Sequence, residues 1–254
     1  MIKRFIVAAA LSLVVLAGNA AQVQAQAQSQ ATLNSLPPAL RAAVLSGNAA
    51  AVTQAINVLS AGNAAQAAQL ANSVVSAAEQ MLSTNPQAAV AVAGAAVQVV
   101  QNAPVQSASP QQTLSVVTTA ARIFINPAAQ QVAPQLSGAG AVAVAQVAAS
   151  PAVYAANPQA AINLMASAYA VATSPRVAAF APNTGAAVTQ ILSTASQSNN
   201  LNVVNATNSA QIQQILAGSQ NSGQNQQVTG GGNTGQTTTI VEDRPVSQIS
   251  ASPT

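Results

Sequence analysis

NPQAAVAVAGAAVQVVQ, residues 85–101, is the stretch whose reading decides the fold. Val90, Val92, Val97, Val99 and Val100 lower helix propensity and on their own suit a strand. The other features point to a helix. Asn85 offers a capping side chain, and Pro86 fixes φ near the helical value while lacking an amide that the first turn would leave unpaired. Ala fills most of the intervening positions, and a run from Pro86 to Gln101 is longer than an ordinary strand. Gln87, Gln98, Gln101 and Asn102 interrupt it, so it falls short of the ~20 predominantly apolar residues of a membrane span.

The same punctuation recurs outward from this stretch. Asn126-Pro127 and Asn157-Pro158 repeat the Asn-Pro start, and Ser109-Pro110, Ser150-Pro151 and Ser174-Pro175 offer a Ser-Pro version. Gly47 before Asn48 and Gly62 before Asn63 read as a helix stop in the left-handed conformation followed by a restart. These signals predict helices over 38–46, 49–60, 64–83, 86–101, 110–125, 127–136, 139–149, 158–173, 184–196 and 209–217. In the third, Ala67, Leu70, Ala71, Val74, Val75, Ala78, Met81 and Leu82 make one apolar stripe that needs a partner. The expected fold is all-α: an Ala-rich helical bundle or a short helical-pair solenoid, with a disordered C-terminal tail. Asn85 and Asn126, like Ser109 and Ser150, lie 41 residues apart, and NPQAA recurs at Asn85 and Asn157. A period near 40 would suit stacked helical pairs.

Residues 1–27 read as a cleavable export signal. Lys3 and Arg4 precede the apolar run from Phe5 to Ala17, and small residues follow with Ala25 or Ala27 at the cleavage point. Residues 28–35 form a short linker, 36–217 the helical domain, and 218–254 a low-complexity tail centred on Gly230-Gly231-Gly232. Within the tail, Thr237–Val241 has the propensity of a short strand, which a neighbour's sheet edge could order.

Past residue 27 the charged residues are Arg41, Arg122, Arg176, Arg244, Glu79, Glu242 and Asp243, and the chain has no His, Cys or Trp. General acid/base, covalent and metal chemistry draw on the residue types missing here. Glu79 is alone among helices, and Glu242 and Asp243 sit on the tail, so no carboxylate pair is framed for catalysis. Arg122 or Arg176 is expected to pair with Glu79. Gly138-Ala139-Gly140 lacks the Lys and Ser/Thr of a phosphate loop and reads as a helix break. Tyr154 and Tyr169 read as core side chains whose hydroxyls reach a partner. No residue is assigned to catalysis, to a cofactor or to a metal.

With the signal removed the net charge is +1, which points to neither nucleic acid nor an acidic membrane. A surface of Gln, Asn, Ser and Thr repels its neighbours weakly. The sequence therefore predicts an exported, non-enzymatic structural or interaction protein of a bacterial envelope or exterior, periplasmic or extracellular. Its expected partner is itself, as a homo-oligomer, or another envelope protein, with no transmembrane helix after cleavage. Contact with a membrane surface is less favoured. The alternative is a monomeric periplasmic scaffold that binds a peptide or an envelope polymer.

Overall fold

The computed structural model describes residues 33–218. The expected export signal, most of the linker and the tail with its strand at 237–241 lie outside them. The described residues are helical, without strands, as the sequence predicts. The helices are α1 (Pro38–Leu45), α2 (Ala49–Ser60), α3 (Ala64–Met81), α4 (Pro86–Val100), α5 (Ala103–Ala108), α6 (Pro110–Ile125) and α7 (Pro127–Val132). They continue as α8 (Pro134–Ala148), α9 (Pro151–Ala156), α10 (Pro158–Thr173), α11 (Pro175–Phe180), α12 (Asn183–Ser196), α13 (Asn199–Val204) and α14 (Asn208–Gly218).

From α4 onward a long helix alternates with a six-residue one. Pro86, Pro110, Pro134, Pro158 and Pro182 open or precede the long helices, each 24 residues after the last. The short helices begin at Ala103, Pro127, Pro151, Pro175 and Asn199 with the same step. The repeat is therefore 24 residues, and Gly62 opens its first copy ahead of α3. The interval of 41 has a simple origin. Asn85 and Ser109 cap long helices whereas Asn126 and Ser150 precede short ones, so it adds a partial step to a full period. The two NPQAA segments, at Asn85 and Asn157, stand three whole periods apart.

Numbered from Gly62, Pro86, Pro110, Pro134, Pro158 and Pro182, repeat positions 7 and 14 are buried in every copy. Position 7 holds Ala68, Val92, Val116, Gly140, Leu164 and Val188; position 14 holds Val75, Val99, Ile123, Val147, Val171 and Ala195. Position 11 completes an i, i+4, i+7 stripe and is buried in all but the first copy, where it is Asn72. Each short helix contributes one buried anchor at position 20: Val105, Ala129, Val153, Val177 or Leu201. Six residues are too few for a helix that is stable by itself, so this anchor holds each short helix through packing.

The long helices stack in two rows. In one, α3, α6, α10 and α14 touch in succession; in the other, α2, α4, α8 and α12 do so, and each long helix also touches its chain neighbours across the rows. The short helices follow the same rule, α5 on α9 on α13 and α7 on α11. Contacts between alternate repeats keep one register. Ser115 Oγ donates to Asn72 Oδ1 at 3.1 Å and Arg122 Nη2 to Glu79 Oε2 at 3.3 Å, both over a separation of 43 residues, so α3 and α6 run parallel.

Close approach makes up for small side chains. A Cβ on Gly140 would stand 2.5 Å from the Phe124 ring, and one on Gly138 would stand 3.0 Å from Val177 Cγ1. The expected helix break at Gly138-Ala139-Gly140 is thus overturned. These residues lie inside α8, where the missing Cβ atoms admit neighbouring side chains. The actual boundary is at Ala133-Pro134, and residues 134–136, expected in the preceding helix, begin α8.

Positions 8 and 12 change character at the ends. In the four central copies position 8 is buried Ala93, Val117, Ala141 or Met165, but in the first and last it is exposed Gln69 and Thr189. Position 12 likewise passes from Val97, Ala121 and Ala145 to Ser73 and Ser193. Polar substitutions of this kind mark capping repeats.

Candidate interaction surface

The charged groups are dispersed. Arg122 on α6 meets Glu79 on α3, with Nε 3.1 Å from Oε1, and Nη2 donates to Thr119 Oγ1 at 3.3 Å. This is the ion pair expected of Glu79. It is largely exposed, so its contribution is at most about 1 kcal/mol. Arg41 Nη1 donates to Asn34 Oδ1 at 3.3 Å. Arg176 on α11 is exposed and has no hydrogen-bond or ion-pair partner among the described residues. Among the described residues no three metal-ligating side chains converge. Glu242, Asp243 and Arg244 lie outside that range.

Tyr154 is fully buried on α9, and its hydroxyl accepts a hydrogen bond from Asn205 Nδ2 at 3.2 Å. Burial raises its pKa above the ordinary tyrosine value, and the Asn205 bond opposes that shift. Tyr169 is half-buried against the core. Both tyrosines thus occupy the packing positions read from the sequence. An amide network that the sequence reading missed extends from Tyr154. Asn205 Nδ2 also donates to Gln211 Oε1 at 3.2 Å, and buried Asn208 donates to the Ala195 carbonyl at 3.0 Å and to Asn202 Oδ1 at 2.9 Å. It ties α9, α12, α13 and α14 together at the last repeat. Isolated Asn residues in a chain this rich in them carry no signal of convergence, so only tertiary structure reveals it.

The surface itself offers open, apolar-lined grooves. One of about 500 Å³ runs between α1 and α2, with Ala39, Ala42, Ala55 and Val58 in its wall. Val58 is 71 % exposed, and nearby Leu45 on α1 is 55 % exposed. A second, of about 270 Å³, lies where α2, α4 and α8 meet. Gly94 opens it, and Gln98, Gln101 and Gln146 edge it, with Gln101 Nε2 donating to Gln146 Oε1 at 2.9 Å.

A third feature is set by the repeat. Position 23, next to last in every copy, holds Ala108, Val132, Ala156, Phe180 and Val204 in the short helices, apolar each time. Yet it faces outward: Phe180 is 53 % exposed and Val132 48 % exposed. These two occupy the same position on α7 and α11, which touch. No described helix is long and apolar enough to cross a membrane. No protein-family model, curated protein or solved structure matches this chain.

Proposed function

We propose that the protein is an exported, non-enzymatic structural or interaction protein of a bacterial envelope or exterior, and that it self-associates. The observation that supports this most is the surface of residues 33–218, where the charged side chains are Arg41, Glu79, Arg122 and Arg176 and two of the four neutralise one another. Copies of such a body meet with little electrostatic repulsion. Exposed apolar side chains on the short-helix edges and on α1 and α2 supply contact area. The polar capping repeats work against simple continuation of the stack from one copy into the next, so association runs through the sides or the α1–α2 groove.

Sedimentation velocity across the micromolar range tests the reading. A weight-average mass that rises with concentration is the expected result, and a monodisperse monomer throughout rejects self-association. The α1–α2 groove favours a second reading, a monomeric scaffold that takes an apolar peptide or an envelope polymer. A monomer recovered from envelope extract with a bound partner, and lost from it on Val58→Glu, would support that reading.

A further inference from the structure

The α7–α11 edge combines two features that fit each other. Phe180 and Val132 expose apolar surface at equivalent positions on touching helices. Arg176 lies four residues before Phe180 on α11, so the two side chains are neighbours on that helix. Arg176 is also without a partner among the described residues, whereas Arg41 and Arg122 are engaged. The acceptors that could answer it are few. The chain has three acidic residues, and Glu79 is held by Arg122, which leaves Glu242 and Asp243. Those two follow Ile240 and Val241 directly, so this segment presents two β-branched side chains and then two carboxylates.

We propose that Ile240–Asp243 docks on the α7–α11 edge of its own chain, with Ile240 and Val241 over Val132 and Phe180 and the carboxylates on Arg176. The tether is residues 219–239, rich in Gly, Gln, Asn, Ser and Thr. A flexible chain of that length has a root-mean-square span of about 25 Å. That span suffices: α14 packs on α10, and α10 touches α11. Tethering gives an effective concentration on the order of millimolar, so a weak exposed contact is populated within one chain before it forms between chains. The segment needs no sheet edge, which the described residues do not offer. The proposal goes beyond the self-association reading and does not depend on it.

The absence of cysteine allows a single labelling site in the full mature chain. Ser247→Cys carrying a nitroxide should broaden the amide resonances of α7 and α11, Phe180 and Arg176 most of all, and leave α3 and α4 sharp. Arg176→Glu should abolish that broadening, and combining it with Glu242→Lys and Asp243→Lys should restore it. Because Arg176 is an exposed side chain, its replacement leaves the fold intact, which the unchanged spectrum of the core will report. Broadening that is spread evenly, or that survives Arg176→Glu, overturns the proposal. A mixture of unlabelled-nitrogen chains bearing the nitroxide with nitrogen-15 chains lacking it separates the two arrangements. Broadening of α11 in the mixture shows docking between copies and overturns docking within one chain. Sedimentation of the same samples reads self-association separately.

Discussion

Phe124 and Gly140 show how single residues carry the core of a chain this poor in large side chains. The ring of Phe124 is buried on α6 and fills the space that a Cβ at Gly140 would take on α8. A Gly inside a helix costs roughly 0.5–1 kcal/mol relative to Ala, and here the aromatic burial it permits is the compensating gain. The sequence reading took the glycines near 140 for punctuation because Gly more often stops a helix than lets another side chain through it. Tyr154 is legible in the sequence as a packed aromatic, but its partner Asn205, on another helix, is not. Its raised pKa sets a prediction. The unfolded chain loses the phenolic proton near pH 10, before the buried group does, so above that pH the folded state binds more protons and stability falls. With no His or Cys in the chain, no side chain has an ordinary pKa between 5 and 9. Melting temperature should thus stay flat from pH 5 to 9 and drop past pH 10, with a shallower drop in Tyr154→Phe; equal alkaline losses in the two proteins would show that Tyr154 is not the group responsible.

At the level of the helix, much was legible because Pro and Asn act locally. Asn48, Asn63, Asn85, Asn126, Asn157 and Ser174 each accept a hydrogen bond from a first-turn amide, as the capping signals predict. Gly47 and Gly62 take the expected left-handed conformation, with φ of 66° and 83°. The Ser-Pro pairs divide. Ser109 and Ser150 precede helices without capping them, and the Ser150 hydroxyl instead donates back to the Val147 carbonyl at 2.8 Å. The short helices α5 and α13 escaped the reading because six residues are too few to display a period of 3.6. Capping predicts unequal costs. Asn157→Ala removes the acceptor 3.1 Å from the Ala160 amide and should lower stability by about 1 kcal/mol, while Ser109→Ala removes no capping bond and should change it by a few tenths at most. Urea unfolding of the two variants checks this, and equal midpoints would count against the cap as the source of the difference.

For the whole molecule, the all-helical class follows from local signals, whereas the 24-residue period does not stand out by eye. An alphabet of Ala, Val, Gln, Ser and Asn hides a repeat whose fixed points are a Pro and a handful of small buried side chains. The two Pro positions within each copy produced the misleading interval of 41. Once the period is known, the two rows, the parallel register of alternate repeats and the polar end copies follow from one rule, that each repeat touches the next and the one after. The surfaces on which function is proposed belong to this scale too, since an outward-facing apolar position becomes notable only when it recurs from copy to copy.

That rule can be tested by taking out whole repeats. Deleting 110–157 removes two periods together with both Phe124 and Gly140, and brings Pro158 to the place of Pro110 with equivalent positions aligned. Deleting 110–149, a block of 40, joins unlike positions. Far-ultraviolet circular dichroism during urea unfolding is the direct measurement. The repeat account predicts that the 48-residue deletion keeps the helical signal per residue and a cooperative transition with a lower midpoint, while the 40-residue deletion loses cooperativity. Loss of the fold in the first, or equal behaviour of the two, would contradict a stack built on a 24-residue repeat.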